Sequence, residues 1–110
     1  MPEKLVSRIG DYELTEILEK DTNWCAVAFM SYGSIPCDHF KPEFESFAQG
    51  MKGVYCAEII AEEHPSMCER LEVTEVPTTL ILKGGKKFAA YVGPYSHEAL
   101  TDRVKKLTKV

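Results

Sequence analysis

The sequence predicts one α/β domain whose mixed central sheet carries helices on both faces. Three observations point to it. Segments with strand and helix periodicity alternate in the order β-α-β-α-β-α-β-β-α, and βαβ alternation generates parallel strands. Trp24-Cys25-Ala26-Val27-Ala28-Phe29-Met30 is an unbroken apolar run of strand length, as suits a central strand covered on both sides. Near the C-terminus two short strands flank Lys83-Gly84-Gly85-Lys86, a turn whose paired glycines supply positive φ for an antiparallel hairpin. At 110 residues, numbered 1–110, the chain is one domain's worth.

The elements follow in order. Leu5 to Ile9 reads as a short strand broken by Gly10, with Asp11 as the expected N-cap of the next helix. That helix carries Leu14, Ile17 and Leu18 on one face and Glu13, Glu16, Glu19 and Lys20 off it. Asp21-Thr22-Asn23 turns the chain into the apolar strand. After the turn-rich stretch from Ser31 to Pro36, Phe40, Phe44, Phe47 and Ala48 recur at helical spacing, so a helix is expected from Cys37. Pro42 lies inside it and predicts a kink; Gly50 and Gly53 mark its end. Val54 to Ile59 is a second mostly apolar strand, and Glu62 to Leu71 a short helix with Pro65 in its first turn. Thr78–Leu82 and Phe88–Val92 are the hairpin strands. Ser96 caps a last helix bearing Leu100, Val104 and Leu107, with Lys105, Lys106 and Lys109 toward its negative end.

Composition excludes several function classes. Hydrophobic residues make up 45% and charged residues 27%, which is not the profile of a disordered chain. Thirteen basic residues against seventeen acidic ones leave a net charge of −4, so the cationic footprint of a nucleic-acid binder is missing. No apolar run approaches the ~20 residues of a membrane span, and no membrane partner is expected. The first residues lack an apolar stretch ending in a small-residue cleavage site, which predicts a cytoplasmic, reducing location. Four cysteines there do not make a disulfide framework. Cys25, Cys37, Cys56 and Cys68 form no C-x-x-C, and His39, His64 and His97 lie apart, so no metal is expected. With no Gly-rich phosphate loop, no nucleotide or other cofactor is expected either.

Three local signatures stand out. The strand ending at Met30 runs into a loop, then Pro36-Cys37 and a helix with Pro42 inside it. Val76-Pro77-Thr78 precedes the fourth strand. Lys83-Gly84-Gly85-Lys86 is followed by Val92-Gly93. Together with the element order, they resemble the thioredoxin family over essentially the whole chain. The resemblance implies the thioredoxin fold and protein-disulfide oxidoreductase chemistry. Where that family carries Trp-Cys-Gly-Pro-Cys, this chain reads Gly33-Ser34-Ile35-Pro36-Cys37. By the resemblance, the attacking cysteine falls on Ser34 and the tryptophan before it on Gly33. The family's buried acid falls on Ala28, and its lysine in the next strand on Glu58. These changes together argue against ordinary dithiol-disulfide turnover.

A dithiol site needs one thiol to attack and another to resolve the mixed disulfide. Ser34 does not supply the first, because an alkoxide is inaccessible near neutral pH. Cys37 remains, in the first turn of a helix, where unsatisfied N–H groups and the dipole favour a thiolate. One reading makes Cys37 a single reactive thiol that forms reversible mixed disulfides with protein thiols or disulfides, or with a glutathione-type thiol. The other makes it a buried cysteine kept for packing. Ser34 has a structural role open to it, since an N-cap hydroxyl meets the N–H three residues on, at Cys37. His39 points away from Cys37 at i+2, and His64 and His97 are expected on the surface at helix starts. Cys25 and Cys56 fall in strands that the family places side by side. They approach each other there as small buried hydrophobes rather than as a disulfide. Cys68 is expected to pack against its helix or, if partly exposed, to be a second redox-sensitive thiol.

The resemblance also implies a cis peptide bond at Val76-Pro77 facing the active-site loop. Such a bond turns the Val76 backbone outward, toward an extended peptide. Gly33, Ile35, Pro36, Val76, Pro77, Gly93 and Pro94 would then form a mildly apolar surface for extended protein segments. Two functions are compatible with this pattern: a redox protein with one site thiol, or a non-catalytic binding or chaperone-like module that keeps the groove without the chemistry.

Overall fold

The apolar run Trp24–Met30 forms a strand with a hydrogen-bonded neighbour on either side, and the rest of the chain is arranged around it. The computed structural model describes residues 5–109. Its elements are β1 (Val6–Arg8), α1 (Asp11–Lys20), β2 (Trp24–Met30), α2 (Ile35–Gly50) and β3 (Val54–Ile60). A 3-10 turn (Ala61–Glu63), α3 (Pro65–Arg70), β4 (Thr78–Lys83), β5 (Lys86–Val92) and α4 (His97–Thr108) complete them. The strands lie in the order β1-β3-β2-β4-β5. β1, β3 and β2 are parallel, β4 runs antiparallel to β2, and β5 antiparallel to β4. The sheet is therefore mixed, and the class read from the sequence holds.

Alternation along β2 divides the core in two. Ala26, Ala28 and Met30 face Phe40, Phe44 and Phe47 of α2 and Leu100 and Val104 of α4. Cys25, Val27 and Phe29 face Leu14 and Leu18 of α1 and Met67 of α3. The phenylalanines of α2 pack along the helix, with Phe44 ring centroids 5.6 Å from Phe40 and 5.7 Å from Phe47. At the start of β2, Phe88 meets the Trp24 ring edge-on at 5.0 Å, and the Lys83 ammonium sits 4.9 Å from its centroid.

Several boundaries differ from the sequence reading. β1 is confined to Val6–Arg8, and Gly10 rather than Asp11 is the N-cap of α1. The Glu13 carboxylate reaches back to accept the Gly10 N–H at 3.0 Å, which does the capping work expected of Asp11. α2 begins at Ile35, two residues early, with Pro36 in its first turn, where a missing N–H breaks no bond. It continues through Pro42. The third helix is shorter than Glu62–Leu71, because a residue before proline avoids helical dihedrals. His64 sits at φ −138°, ψ 59° and separates the 3-10 turn from α3. Cys25 and Cys56 do lie on neighbouring strands, but they do not approach each other across one face. Cys56 is opposite Ala26 in the register, so the pleat puts the two thiols on opposite faces of the sheet.

The β4–β5 turn packs against α1. Gly85 has φ +80°, and a Cβ built there would run into the Leu18 carbonyl. Gly85→Ala is expected to destabilise the protein by about 1–3 kcal/mol. The measurement is urea unfolding, read as a lower midpoint at unchanged slope.

Candidate functional site

β2 and β4 are antiparallel, so the end of β2 and the start of β4 meet, with Phe29 opposite Thr78. Two loops gather at that end of the sheet. The first leaves Met30, and Gly33 in it has φ +70°, a left-handed conformation that favours glycine. Ser34 follows as N-cap of α2, its hydroxyl accepting the Cys37 N–H at 3.3 Å. Tyr32 on this loop and Ile35 at the start of α2 are 55% and 70% exposed. Cys37, one turn in, is only 3% exposed and packs in the α2–α4 half of the core with Ala28, Met30 and Phe40.

The second loop carries Val76-Pro77, whose peptide bond is cis. The Pro77 carbonyl accepts the Gly93 N–H at 2.8 Å, and the Thr78 hydroxyl donates to the Glu75 carbonyl at 2.6 Å. A shallow, largely apolar groove of about 490 Å³ leads from Ser31 and Val76 across to Pro65 and Cys68 on α3. The fold thus brings Gly33, Ser34, Ile35, Pro36 and Cys37 to the same end of the sheet as Val76, Pro77 and Gly93.

Behind the first loop, Cys37 lines a cleft of about 100 Å³ with Arg8, Met30, Tyr32, Lys41 and Glu58 among its other walls. Glu58 on β3 is in register with both Ala28 on β2 and Arg8 on β1. Its Oε1 lies 3.4 Å from Arg8 Nη2. Arg8 Nη1 donates to the Tyr32 hydroxyl at 3.3 Å, and its guanidinium lies 5.7 Å from the Tyr32 ring centroid. The Tyr32 N–H donates to the Glu62 carboxylate at 3.1 Å. The Ser31 hydroxyl, with the burial cost opposing it, holds the Glu62 carboxyl below the usual carboxylate range. The sequence reading noted Glu58 only by its place in the family pattern, and it did not single out Arg8, Tyr32 or Lys41. The one sequence signal among them is Glu58, a charge in a strand otherwise read as apolar.

The histidines and remaining cysteines sit elsewhere. His39 is exposed. His64 is half-buried rather than free on the surface, with Nδ1 3.1 Å from Asp11 Oδ1. His97 is not simply exposed either. Its backbone N–H donates to Glu43 at 2.8 Å and its Nδ1 lies 3.0 Å from the same carboxylate oxygen, tying α4 to α2. The backbone N–H, then the ring, holds the Glu43 carboxyl below its ordinary range. Glu98 joins them at 3.4 Å from Nδ1, so three groups with metal-ligand chemistry have ligand atoms within 4.8 Å. Sequence spacing gave no hint of this trio, because Glu43 and His97 are on different helices. Burial pushes both the Cys25 and Cys56 thiols up to about 12, with the Asp21 carboxylate adding to the effect at Cys25. Cys68 is half-buried, its thiol raised by burial, with Sγ 3.6 Å from the Ala61 carbonyl.

A family model for thioredoxin matches residues 6–106. Among curated relatives, a thioredoxin of Chlorobaculum thiosulfatiphilum is 26% identical over 82% of this chain and 83% of its own. Chloroplastic thioredoxin M4 of Arabidopsis thaliana is 28% identical over 92% of this chain and 53% of its own. Thioredoxin AMT13 of Alternaria alternata is 27% identical over 76% and 63%. The chain spans less than two thirds of several such relatives, and 21% of one from Schizosaccharomyces pombe. Among solved structures, a mutant thioredoxin from Halobacterium salinarum superposes with a TM-score of 0.85 at 20% identity, covering 100% of this chain and 97% of that one. Thioredoxin from Nicotiana alata gives 0.85 at 19% identity, over 97% and 96%.

Raised thiol values carry a pH signature with a definite sign. A buried neutral thiol stabilises the fold fully below the ordinary thiol value of 9.0 and loses that contribution as pH rises toward about 12. The urea midpoint is therefore expected to hold through neutrality and fall above about pH 9. Cys25→Ala and Cys56→Ala should each flatten that fall. In the same range below pH 9, peptide mass spectrometry after iodoacetamide should find Cys25 and Cys56 unmodified in the folded protein.

Proposed function

The chain belongs to the thioredoxin family, and on that premise we propose that it takes part in thiol-disulfide exchange through a single site thiol, Cys37. Its targets are protein thiols and disulfides or glutathione-type thiols, and the product is a reversible mixed disulfide. The observation that carries this reading is the position of Cys37. It stands in the first turn of α2, one turn after the Ser34 cap and lining a cleft at the end of the sheet where the Val76-Pro77 loop also sits. The cleft gives a small reagent a way to the sulfur. Gly33, Ile35, Pro36, Val76, Pro77 and Gly93 would seat the chain that carries the target sulfur.

Ser34 sets the limit of the chemistry. With a hydroxyl at the place of the family's attacking thiol, a mixed disulfide on Cys37 has no neighbouring thiol to resolve it and must be released by a second thiol from solution. The low exposure of Cys37, beside the open Tyr32 and Ile35, supports a second reading: a binding module in which the apolar surface engages extended segments and the thiol stays idle. Reaction with oxidised glutathione separates the two, since the redox reading requires a glutathione adduct on Cys37.

Insulin reduction with dithiothreitol should proceed near the no-protein rate for the wild type. Ser34→Cys creates a second thiol one helical turn from Cys37 and should raise the rate clearly above that. Adding Ala28→Asp supplies a buried carboxylate under Cys37 and should speed resolution by about tenfold or more, at some loss of stability from burying the acid. No gain in a normally folded Ser34→Cys variant would favour the binding module.

A further inference from the structure

Cys37 brings the one thiol among the residues that line the 100 Å³ cleft, and it shares that wall with the Glu58 carboxylate. Alternation along β3 places Glu58 on the same face as Cys56 and Ile60, the face covered by α2. The side chain is only 12% exposed, so it lies under the first turn of the helix rather than out in solvent. Arg8 holds it from the neighbouring strand, and Arg8 is itself held by Tyr32 on the loop before the cap. A cleft of this size lined by polar groups accommodates water. It therefore offers a proton path between a buried thiol and a buried, oriented carboxylate.

We propose that Glu58 is a positioning residue for the Cys37 reaction, taking up the thiol proton through cleft water while Arg8 fixes its carboxylate. This rests on the single-thiol reading above. The step balances as follows. The Cys37 S–H bond breaks, and its proton passes through water to a Glu58 oxygen. The sulfur's electron pair forms a bond to one sulfur of the target disulfide. The other sulfur leaves as a thiolate, is thereby reduced, and gains a proton from solvent, while Cys37 is oxidised to the mixed disulfide. The charged and titratable groups facing this path are Arg8 from β1, Tyr32 from the loop, Asp38 and Lys41 from α2, and Glu58 itself.

The test exploits opposite signs. A carboxylate that acts only as a neighbouring negative charge disfavours the thiolate, so Glu58→Gln would then speed exchange at neutral pH. A carboxylate that accepts the proton makes Glu58→Gln slow it. The reaction is mixed-disulfide formation with bis(2-hydroxyethyl) disulfide, an uncharged probe, followed from pH 5.5 to 10 and assigned to Cys37 by peptide mass spectrometry. Relative to wild type, Glu58→Gln should lose about tenfold in rate at pH 6–7, a modest share of what a positioned base supplies, and converge with it at the alkaline end, where the thiol ionises unaided. Glu58→Asp, which keeps the charge on a shorter stem, should recover part of the loss. Circular dichroism checks that the variants are folded. An unchanged or faster Glu58→Gln, with wild-type Cys37 reacting normally, overturns the role of Glu58 alone. A wild-type Cys37 that forms no adduct at any pH overturns the single-thiol reading and this proposal with it.

Discussion

Burial of β2 on both faces is the constraint on which everything else hangs. Every side chain from Cys25 to Met30 is buried, so two helices must cover each side of the sheet. That requirement places α2 and α4 on one face and α1 and α3 on the other. It also decides where chemistry is possible. The middle of β2 is filled by small apolar side chains, and polar groups reach the site from the strand ends, from β3, from the loop after Met30 and from α2. Ala28 puts no polar side chain under Cys37, and its register partner on β3, Glu58, brings a carboxylate in from the side, with Arg8 to balance its charge.

The start of α2 joins structure to chemistry. Ser34 satisfies the Cys37 N–H, so the same bond that begins the helix fixes the backbone that carries the sulfur. The four cysteines then sort by environment. Cys25 and Cys56 are buried and hard to ionise, Cys68 is half-buried along the groove at α3, and Cys37 lies in the first turn of α2 against the smaller cleft.

Much of this was legible in the sequence because strong periodicity leaves few alternatives. The apolar run of β2, the phenylalanine spacing of α2, the glycine pair of the hairpin and the Ser96 cap each identify an element from a few residues. What was not legible depends on register and on distant pairing. Knowing that Cys25 and Cys56 sit in adjacent strands does not say whether their pleats agree, and a register that sets Ala26 against Cys56 sends them apart. Capping at Gly10 was hidden because the acceptor comes from Glu13, three residues downstream. The bond between His97 and Glu43, and the pairing of Arg8 with Glu58, join segments whose proximity exists only once the sheet and helices are packed. Pro36, Cys37 and the Val76-Pro77 pair stood out on their own. The cleft beside Cys37 did not, since its walls come from β1, β2, β3 and α2 together.

The chain has one tryptophan, and it is not in the loop before Cys37, where Gly33 stands. Trp24 opens β2, whereas the site loop leaves its other end, six residues and about 20 Å along an extended strand. Its indole is in contact with Phe88 and Lys83, on the hairpin side of the sheet. Intrinsic fluorescence therefore reads the hairpin and the first residues of β2. An emission spectrum that follows thermal melting faithfully will be nearly blind to the oxidation state of Cys37. Optical work on the thiol needs a reporter introduced for the purpose, such as a chromophoric leaving group on the attacking reagent.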